Sequence, residues 1–332
     1  MLRLLLVLFF PISLSAQLKR FQFSENKMGS PFNIILYHTD SLQAGQAANE
    51  CFLIVDSINN IFSDYTISSE VGKLSLQSPG KDIPVSEELL QMILESKQAW
   101  KKSGKTFDIT IGSLTQLWRK NRAEKKIPPE AEIKKAKSES GFNNLHIDVA
   151  LKKISFKKNG IKLDFGGIVK GYAAQKVIDY LKTKNILIAL ADAGGDIVMS
   201  DAPPGKTGWL IGINLPEREN ELWDNKLELK NCSVATSGDV FRYTIYNGKK
   251  YSHIIDPRTG YGVTSLRNVT VIAKDGTIAD WLATACSILP IKKALRLAKR
   301  ENAALLIATL KDEKIISFKT EFFDSYFQKK LP

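Results

Sequence analysis

The sequence predicts an α+β fold built as one compact unit. Three observations carry this. Segments with strand-like alternation dominate residues 145–165 and recur from 186 to 273. Stretches with apolar residues at helical spacing lie among them. The two kinds follow one another without a regular βαβ rhythm, and no internal repeat or long linker divides the chain.

Taken in order, Asn33 to His38 reads as a short strand. Leu42 to Phe62 places Ala47, Cys51, Ile54, Val55 and Ile58 on one helical face. Pro84 to Glu88 opens a second helix that runs to Lys102 and stops at Gly104; Ser86 can cap its free N–H groups, with acidic residues in the first turn. Residues 119–140, rich in Lys and Glu around Pro128-Pro129, read as a solvated loop and a short surface helix, a variable insertion. Strands follow at Leu145 to Val149, Lys153 to Lys157 and Lys162 to Phe165. A Gly-Gly turn leads into a helix from Ile168 to about Lys182. Ile186 to Asp192, Trp209 to Asn214, Cys232 to Thr236, Tyr243 to Tyr246 and Asn268 to Ala273 are further strands. Ile278 to Ser287 and Lys292 to Lys299 are helical, and Ala303 to Leu310 with Lys314 to Phe318 form a closing hairpin.

The 332 residues are 44% hydrophobic and 25% charged, which excludes disordered, collagen-like and multi-span membrane chains. Lys and Arg number 47 against 35 Asp and Glu, a net charge of +12. Such a surplus suits nucleic acid, an anionic cofactor or a membrane surface, and no RNA- or DNA-binding motif accompanies it. Three scattered cysteines exclude a disulfide framework and a zinc site, and Cys51 and Cys286 sit in apolar helical patterns where small side chains pack. Residues 1–16 have the layout of a secretory signal: Arg3, the apolar run Leu4 to Phe10, then small residues to Ala16. The expected mature chain is an exported, soluble protein, and no cysteine near the cut offers a lipid anchor.

Four glycine-marked corners and one helix can carry chemistry. Asp164-Phe165-Gly166-Gly167-Ile168-Val169-Lys170-Gly171 ends a strand and starts a helix, whose free N–H groups and dipole can hold an anion beside Lys170. Ala193-Gly194-Gly195-Asp196 and Thr236-Ser237-Gly238-Asp239, with Arg242 beyond, can bind hydroxyl or phosphate groups, or serve only as turns. In the fourth, Ser252 to Gly260, His253 lies three residues before Asp256. That pair can act as a general base and its support, or as a structural histidine. His38 and His146 sit in strand-like contexts and read as structural. On the helix, Asp280 and Thr284 are four residues apart and share a face; a carboxylate with a hydroxyl is hard-oxygen ligation suited to Mg²⁺ or Ca²⁺.

The blocks taken together are more specific than any one of them. In order, Met28-Gly29-Ser30, Ser63-Asp64-Tyr65, Thr106-Phe107-Asp108, D-F-G-G-I-V-K-G, A-G-G-D, T-S-G-D with Arg242, H-I-I-D-P-R-T-G and A-D-W-L-A-T closely resemble the ApbE family, over about residues 26–310. Members are FAD:protein FMN transferases, earlier described as thiamine-biosynthesis lipoproteins. The resemblance implies a compact α+β, T-fold-related mixed sheet-and-helix domain over residues 17–332, with a central cleft for FAD and a divalent metal. The implied reaction moves FMN from FAD to a threonine, sometimes serine, hydroxyl of a target protein and releases AMP. By resemblance, Met28, Tyr65, Thr106, Phe107, Asp108, Asp164, Lys170 and Ile254 contact the flavin nucleotide, and the Gly167 carbonyl, Asp280 and Thr284 hold Mg²⁺ or Ca²⁺. His253 is expected as the base and Asp256 as its support. Expected targets are exported flavoproteins such as subunits of sodium-pumping quinone reductases or the Rnf complex, with peripheral membrane association and no nucleic acid.

Two departures matter. The lipobox cysteine of many relatives is missing, and Gly167 stands where alanine is common. Two other readings stay open at this point: an FAD pyrophosphatase yielding FMN and AMP, and a non-catalytic exported flavin-binding protein.

Overall fold

The computed structural model describes residues 17–214, 223, 225–238, 243–265, 267–311 and 314–329. The signal segment expected at 1–16, and Asp239 and Arg242 of the third corner, lie outside them.

In chain order the elements are β1 (Lys19–Lys27), β2 (Ser30–His38), α1 (Ser41–Phe62), α2 (Glu70–Leu74), β3 (Ile83–Pro84), α3 (Glu87–Lys102), α4 (Gly112–Ala123) and α5 (Glu130–Ser138). Then come β4 (Leu145–Asp148), β5 (Lys153–Phe156), α6 (Val169–Thr183), β6 (Ala189–Asp192), β7 (Asp196–Met199), β8 (Trp209–Ile211), β9 (Leu227–Leu229) and β10 (Cys232–Ser237). The chain closes with β11 (Tyr243–Tyr246), β12 (Lys249–Ser252), β13 (Arg267–Ala273), α7 (Gly276–Ile288), α8 (Ile291–Arg300), β14 (Ala304–Lys311) and β15 (Lys314–Lys319).

Eight strands form one sheet in the order β1-β2-β6-β7-β10-β13-β14-β15, every neighbouring pair antiparallel. Side-chain alternation sends Ile34, Leu36, Val269, Val271, Leu305 and Ile307 into the main core with α1, α3, α6 and α7. Their neighbours Leu190, Met199, Val234, Ile272 and Leu306 point the other way, onto Trp209, Leu227, Leu229 and Phe323. All seven residues of β13 are therefore buried. Each fully buried Ile or Leu contributes about 1.5–3 kcal/mol, so the sheet is firm scaffolding for whatever its edges and turns present.

Local chemistry explains the helix starts. Asp40 caps α1, its side chain accepting from the N–H groups of Leu42 and Gln43, and Ser86 caps α3 through Leu89 N–H, as its sequence suggested. The β1–β2 hairpin turns on Met28 and Gly29, at φ 51° and 76°, the left-handed pair that a two-residue turn requires. Methionine there is strained at a cost of about 1–2 kcal/mol.

The structure changes several expectations. Residues 162–165 form no strand; Lys162 makes one parallel bridge to Ile111, and the Asp164 N–H donates to Ile109 O at 2.7 Å. Within 119–140 the expected short surface helix is α5, and the end of α4 enters that stretch as well, its Leu114 and Trp118 packing inward with Ile133 and Ala136. Cys51, Cys232 and Cys286 are free thiols, and burial pushes Cys51 and Cys286 up to about 12.

Helices α6 and α7 cross at Gly171 and Gly276. A Cβ built on either would overlap the carbonyl oxygen of the other, and one on Gly171 would also come within 2.8 Å of Asp280 Cβ. Gly171→Ala must push the helices apart, and we expect it to destabilise the protein by about 3 kcal/mol. Gly45→Ala on α1 meets nothing within 4 Å and is expected to gain up to about 1 kcal/mol from helix propensity. Thermal melting of the two variants against the parent checks both signs.

Candidate active site

The first corner is built around Asp164. Its Oδ1 accepts the Gly166 N–H at 2.7 Å, turning the chain sharply. The Ile168 and Val169 N–H groups then donate to Phe165 O, at 3.0 Å each, and α6 begins. Because α6 and α7 touch backbone to backbone, the Gly171 N–H reaches Asp280 Oδ2 at 3.0 Å. A Cβ on Gly167 would lie 2.9 Å from Thr284 Oγ1, so the Gly167 backbone stands directly beside that hydroxyl. Gly167 and the Asp280–Thr284 pair, far apart in sequence, converge.

Lys170 adds a cation. Its Nζ lies 3.3 Å from Ser30 Oγ. Gly194, at φ 75°, leaves the room this needs: a Cβ there would lie 2.5 Å from Ser30 Oγ and 3.4 Å from the Lys170 Nζ. Burial pushes the Asp280 carboxyl up to about 7, against the Gly171 N–H and the Lys170 charge, which favour ionisation. Asp196 is pushed well above the usual carboxylate range, first by burial and then by Asp280 beside it. Such carboxyls are under-compensated, and a cation would relieve them. The donors fit a hard divalent ion: one carboxylate, one hydroxyl and one carbonyl. Among the described residues no group of three His, Cys, Asp or Glu is placed to hold a metal, so water and phosphate oxygens would complete the shell.

The facing wall is the loop after β12. The Ser252 N–H donates to Val263 O at 2.8 Å, Val263 N–H to Ile254 O at 2.9 Å and Asp256 N–H to Tyr261 O at 2.9 Å. This narrow two-stranded extension brings His253, Ile254 and Ile255 into the cleft. A small apolar cluster of Ile111, Leu114, Trp118, Ile133, Ala136 and Ile255 holds it, and Trp118 Nε1–H donates to Gly260 O at 2.8 Å.

Between the walls lies a cleft of about 690 Å³, within the range of small-molecule sites. Tyr65, Thr106, Phe107, Asp108, Asp164, Gly167, Lys170, His253, Ile254, Asp280 and Thr284 all line it. Thr106 Oγ1–H donates to Ser103 O at 3.0 Å, and Asp108 Oδ1 accepts from Thr110 N–H and Oγ1–H at 2.8 and 2.6 Å. Burial raises Asp108, and the Thr110 bonds oppose the rise. Phe107 packs at 6.2 Å against Trp281, on the same turn of α7 as Asp280.

Two expected residues stand behind the lining. Met28 forms its turn next to Gly29 and Ser30, which do line the cleft, and packs on the main core. Asp256 lies in the turn that carries His253, its Oδ1 accepting from Arg258 N–H and Nε–H at 2.9 Å and its Oδ2 from Arg258 at 2.7 Å. Sequence reasoning overlooked Thr115, Trp118, Arg119 and Arg122, the cleft face of α4. The signal was present: Leu114, Leu117 and Trp118 keep helical spacing ahead of the charged run.

The model of the ApbE family matches residues 28–307. The FAD:protein FMN transferase of Chlamydia muridarum is 30% identical over 291 residues, which cover 85% of this chain and 88% of that protein. The enzyme of the same name from Klebsiella pneumoniae is 28% identical over 299 residues, covering 90% and 92%. The solved structure of the ApbE protein from Thermotoga maritima superposes with a TM-score of 0.84 at 28% identity, covering 94% of this chain and 100% of that one. The matched range includes the Asp164 corner, the histidine loop and α7, and by this match the chain belongs to the ApbE family.

Proposed function

We propose that this chain is an FAD:protein FMN transferase that uses Mg²⁺ or Ca²⁺ to move FMN from FAD onto a threonine or serine hydroxyl of an exported protein, releasing AMP. One observation carries the reading. In a chain of the ApbE family, Gly167, Lys170, Asp280 and Thr284 share a single cleft with His253.

The acceptor oxygen attacks the phosphorus of the FMN half. A phosphoester bond forms there, and the bond from that phosphorus to the oxygen bridging to AMP breaks. AMP leaves with the bridging oxygen. Held by the Gly167 carbonyl, Asp280 and Thr284, the divalent ion supplies charge neutralisation at the pyrophosphate. Lys170, which lines the same cleft, offers further positive charge on that side. His253 takes the hydroxyl proton, and Asp256 fixes the turn that aims it. Tyr65, Thr106 to Asp108, Asp164 and Ile254 bind the flavin nucleotide, and Met28 shapes the turn beneath it.

The layout of residues 1–16 supports export to a periplasm. No helix of the described residues is long and apolar enough to cross a membrane. The net charge of +12 suits the anionic dinucleotide and peripheral contact with a membrane. Acceptor subunits of sodium-pumping quinone reductases or Rnf-type complexes are the proposed targets.

The test is to incubate the purified chain with FAD, Mg²⁺ and a domain bearing an acceptor threonine. Mass spectrometry is expected to find one FMN on that threonine and an equal amount of AMP, both lost with EDTA. AMP without a modified acceptor would instead identify a pyrophosphatase, and bound FAD with neither product a carrier. His253→Ala is expected to slow transfer about 10²–10⁴-fold while FAD titration shows the nucleotide still bound.

Asp280→Asn is expected to abolish metal-dependent transfer yet stabilise the metal-free protein to heat, since it removes an under-compensated buried carboxyl. The sign follows from linkage. With the folded-state value raised from 3.8 to about 7, the parent loses stability as pH climbs between those values and loses no more above them. The melting-temperature gap between variant and parent should therefore be absent below pH 3.8 and widest above about 7.

A further inference from the structure

Arg119, on the cleft face of α4, touches three groups at the mouth of the cleft. Its guanidinium carbon stands 3.8 Å from the centre of the Tyr65 ring. The same guanidinium lies 3.0 Å from Asp64 Oδ2 and 3.9 Å from Asp164 Oδ2. Asp164 in turn holds the Gly166 N–H that shapes the corner beside Gly167. One side chain thus ties the loop after α1 to the strand-to-helix corner.

Tyr65 is 72% exposed. An exposed tyrosine ordinarily samples several rotamers, and fixing one has an entropic cost. Here the ring lies against a planar cation, and the residue lines the cleft with most of its surface exposed. Guanidinium stacked on an aromatic face is favourable. Arg119 is itself fixed by the Asp64 carboxylate, whose side chain is only 9% exposed. The ring is therefore presented in advance as a flat surface that a second planar ring can cover.

We propose that Arg119 is a positioning residue for substrate binding, holding Tyr65 as a preformed stacking surface for one of the planar rings of FAD. The inference rests on the FAD-binding reading above and adds a residue to it. The chemistry recognised is a planar heteroaromatic ring, with the pyrophosphate held elsewhere on the Lys170 side of the cleft. Pre-organisation of this kind strengthens binding by lowering the ordering cost. Its loss weakens affinity for FAD far more than it slows turnover once FAD is bound.

The test is quenching of flavin fluorescence on titration with the full chain, read alongside steady-state transfer. Arg119→Ala is expected to raise the Kd and KM for FAD about tenfold, with kcat falling much less than KM rises. Tyr65→Ala should weaken FAD to a similar extent, and the double variant no further, because both remove one stacking surface. Arg119→Lys keeps a cation for Asp64 but loses the planar stack, and should weaken FAD at least about threefold. It decides the matter if Arg119→Ala melts early. Wild-type affinity in Arg119→Lys, additive losses in the double variant, or equal losses in kcat and affinity would each overturn the positioning role. A parent chain that does not bind FAD would overturn the functional reading itself, a separate outcome from parent binding that the Arg119 variants leave unchanged.

Discussion

Everything at the Asp280 end of the cleft depends on two helices touching backbone to backbone. At the Gly171–Gly276 crossing neither residue has room for a side chain, and this closeness lets the Gly171 N–H reach Asp280 Oδ2. The same approach sets the Gly167 backbone beside Thr284. A wider crossing, at the 8–10 Å usual for side-chain-mediated helix packing, would separate those groups and leave three unrelated polar atoms. The hydrogen bond also helps to orient the carboxylate, which lines the cleft. Helix packing and ligand geometry are one constraint here.

That arrangement leaves electrostatic tension in the fold. Asp196 and Asp280 sit in the same poorly solvated corner with Lys170 as their shared cation. A chain selected for stability alone would place asparagine or an apolar residue there. Donors left under-compensated by the protein have the most to gain from a bound cation, so the tension is in keeping with the metal site proposed above. The strained left-handed Met28 is a second instance of local cost at the same rim.

Most of the fold was legible in the sequence where one physical signal dominated. Helix α1 shows an unbroken apolar face, α3 announces itself by Ser86 and two glutamates, and β13 is a run of residues buried on both sides. Signals failed where two competed. The apolar face of α4 is short, Leu114 and Trp118 with Gly112, and its last turn runs into the charged stretch, so the helix escaped notice. Residues 162–165 have strand-like alternation but lie beside residues 109–112 through isolated contacts, and no ladder forms. The site was legible as motifs because glycines, His253, Asp280 and Thr284 keep short fixed spacings. What spacing could not convey was partnership across the fold: that Asp256 faces Arg258, or that Arg119 lies under Tyr65.

The wall that carries His253 rests on a different body from the one that carries Asp280. Its support is the small cluster around Trp118 and Ile255, apart from the main core between sheet and helices. Small clusters open at lower free energy than the global fold. Subglobal opening of this satellite would carry His253 away while the Asp280 corner stays assembled between α6 and α7. The cleft would then come apart before the scaffold does, at a temperature set by the grip of six buried apolar side chains rather than by the stability of the whole protein.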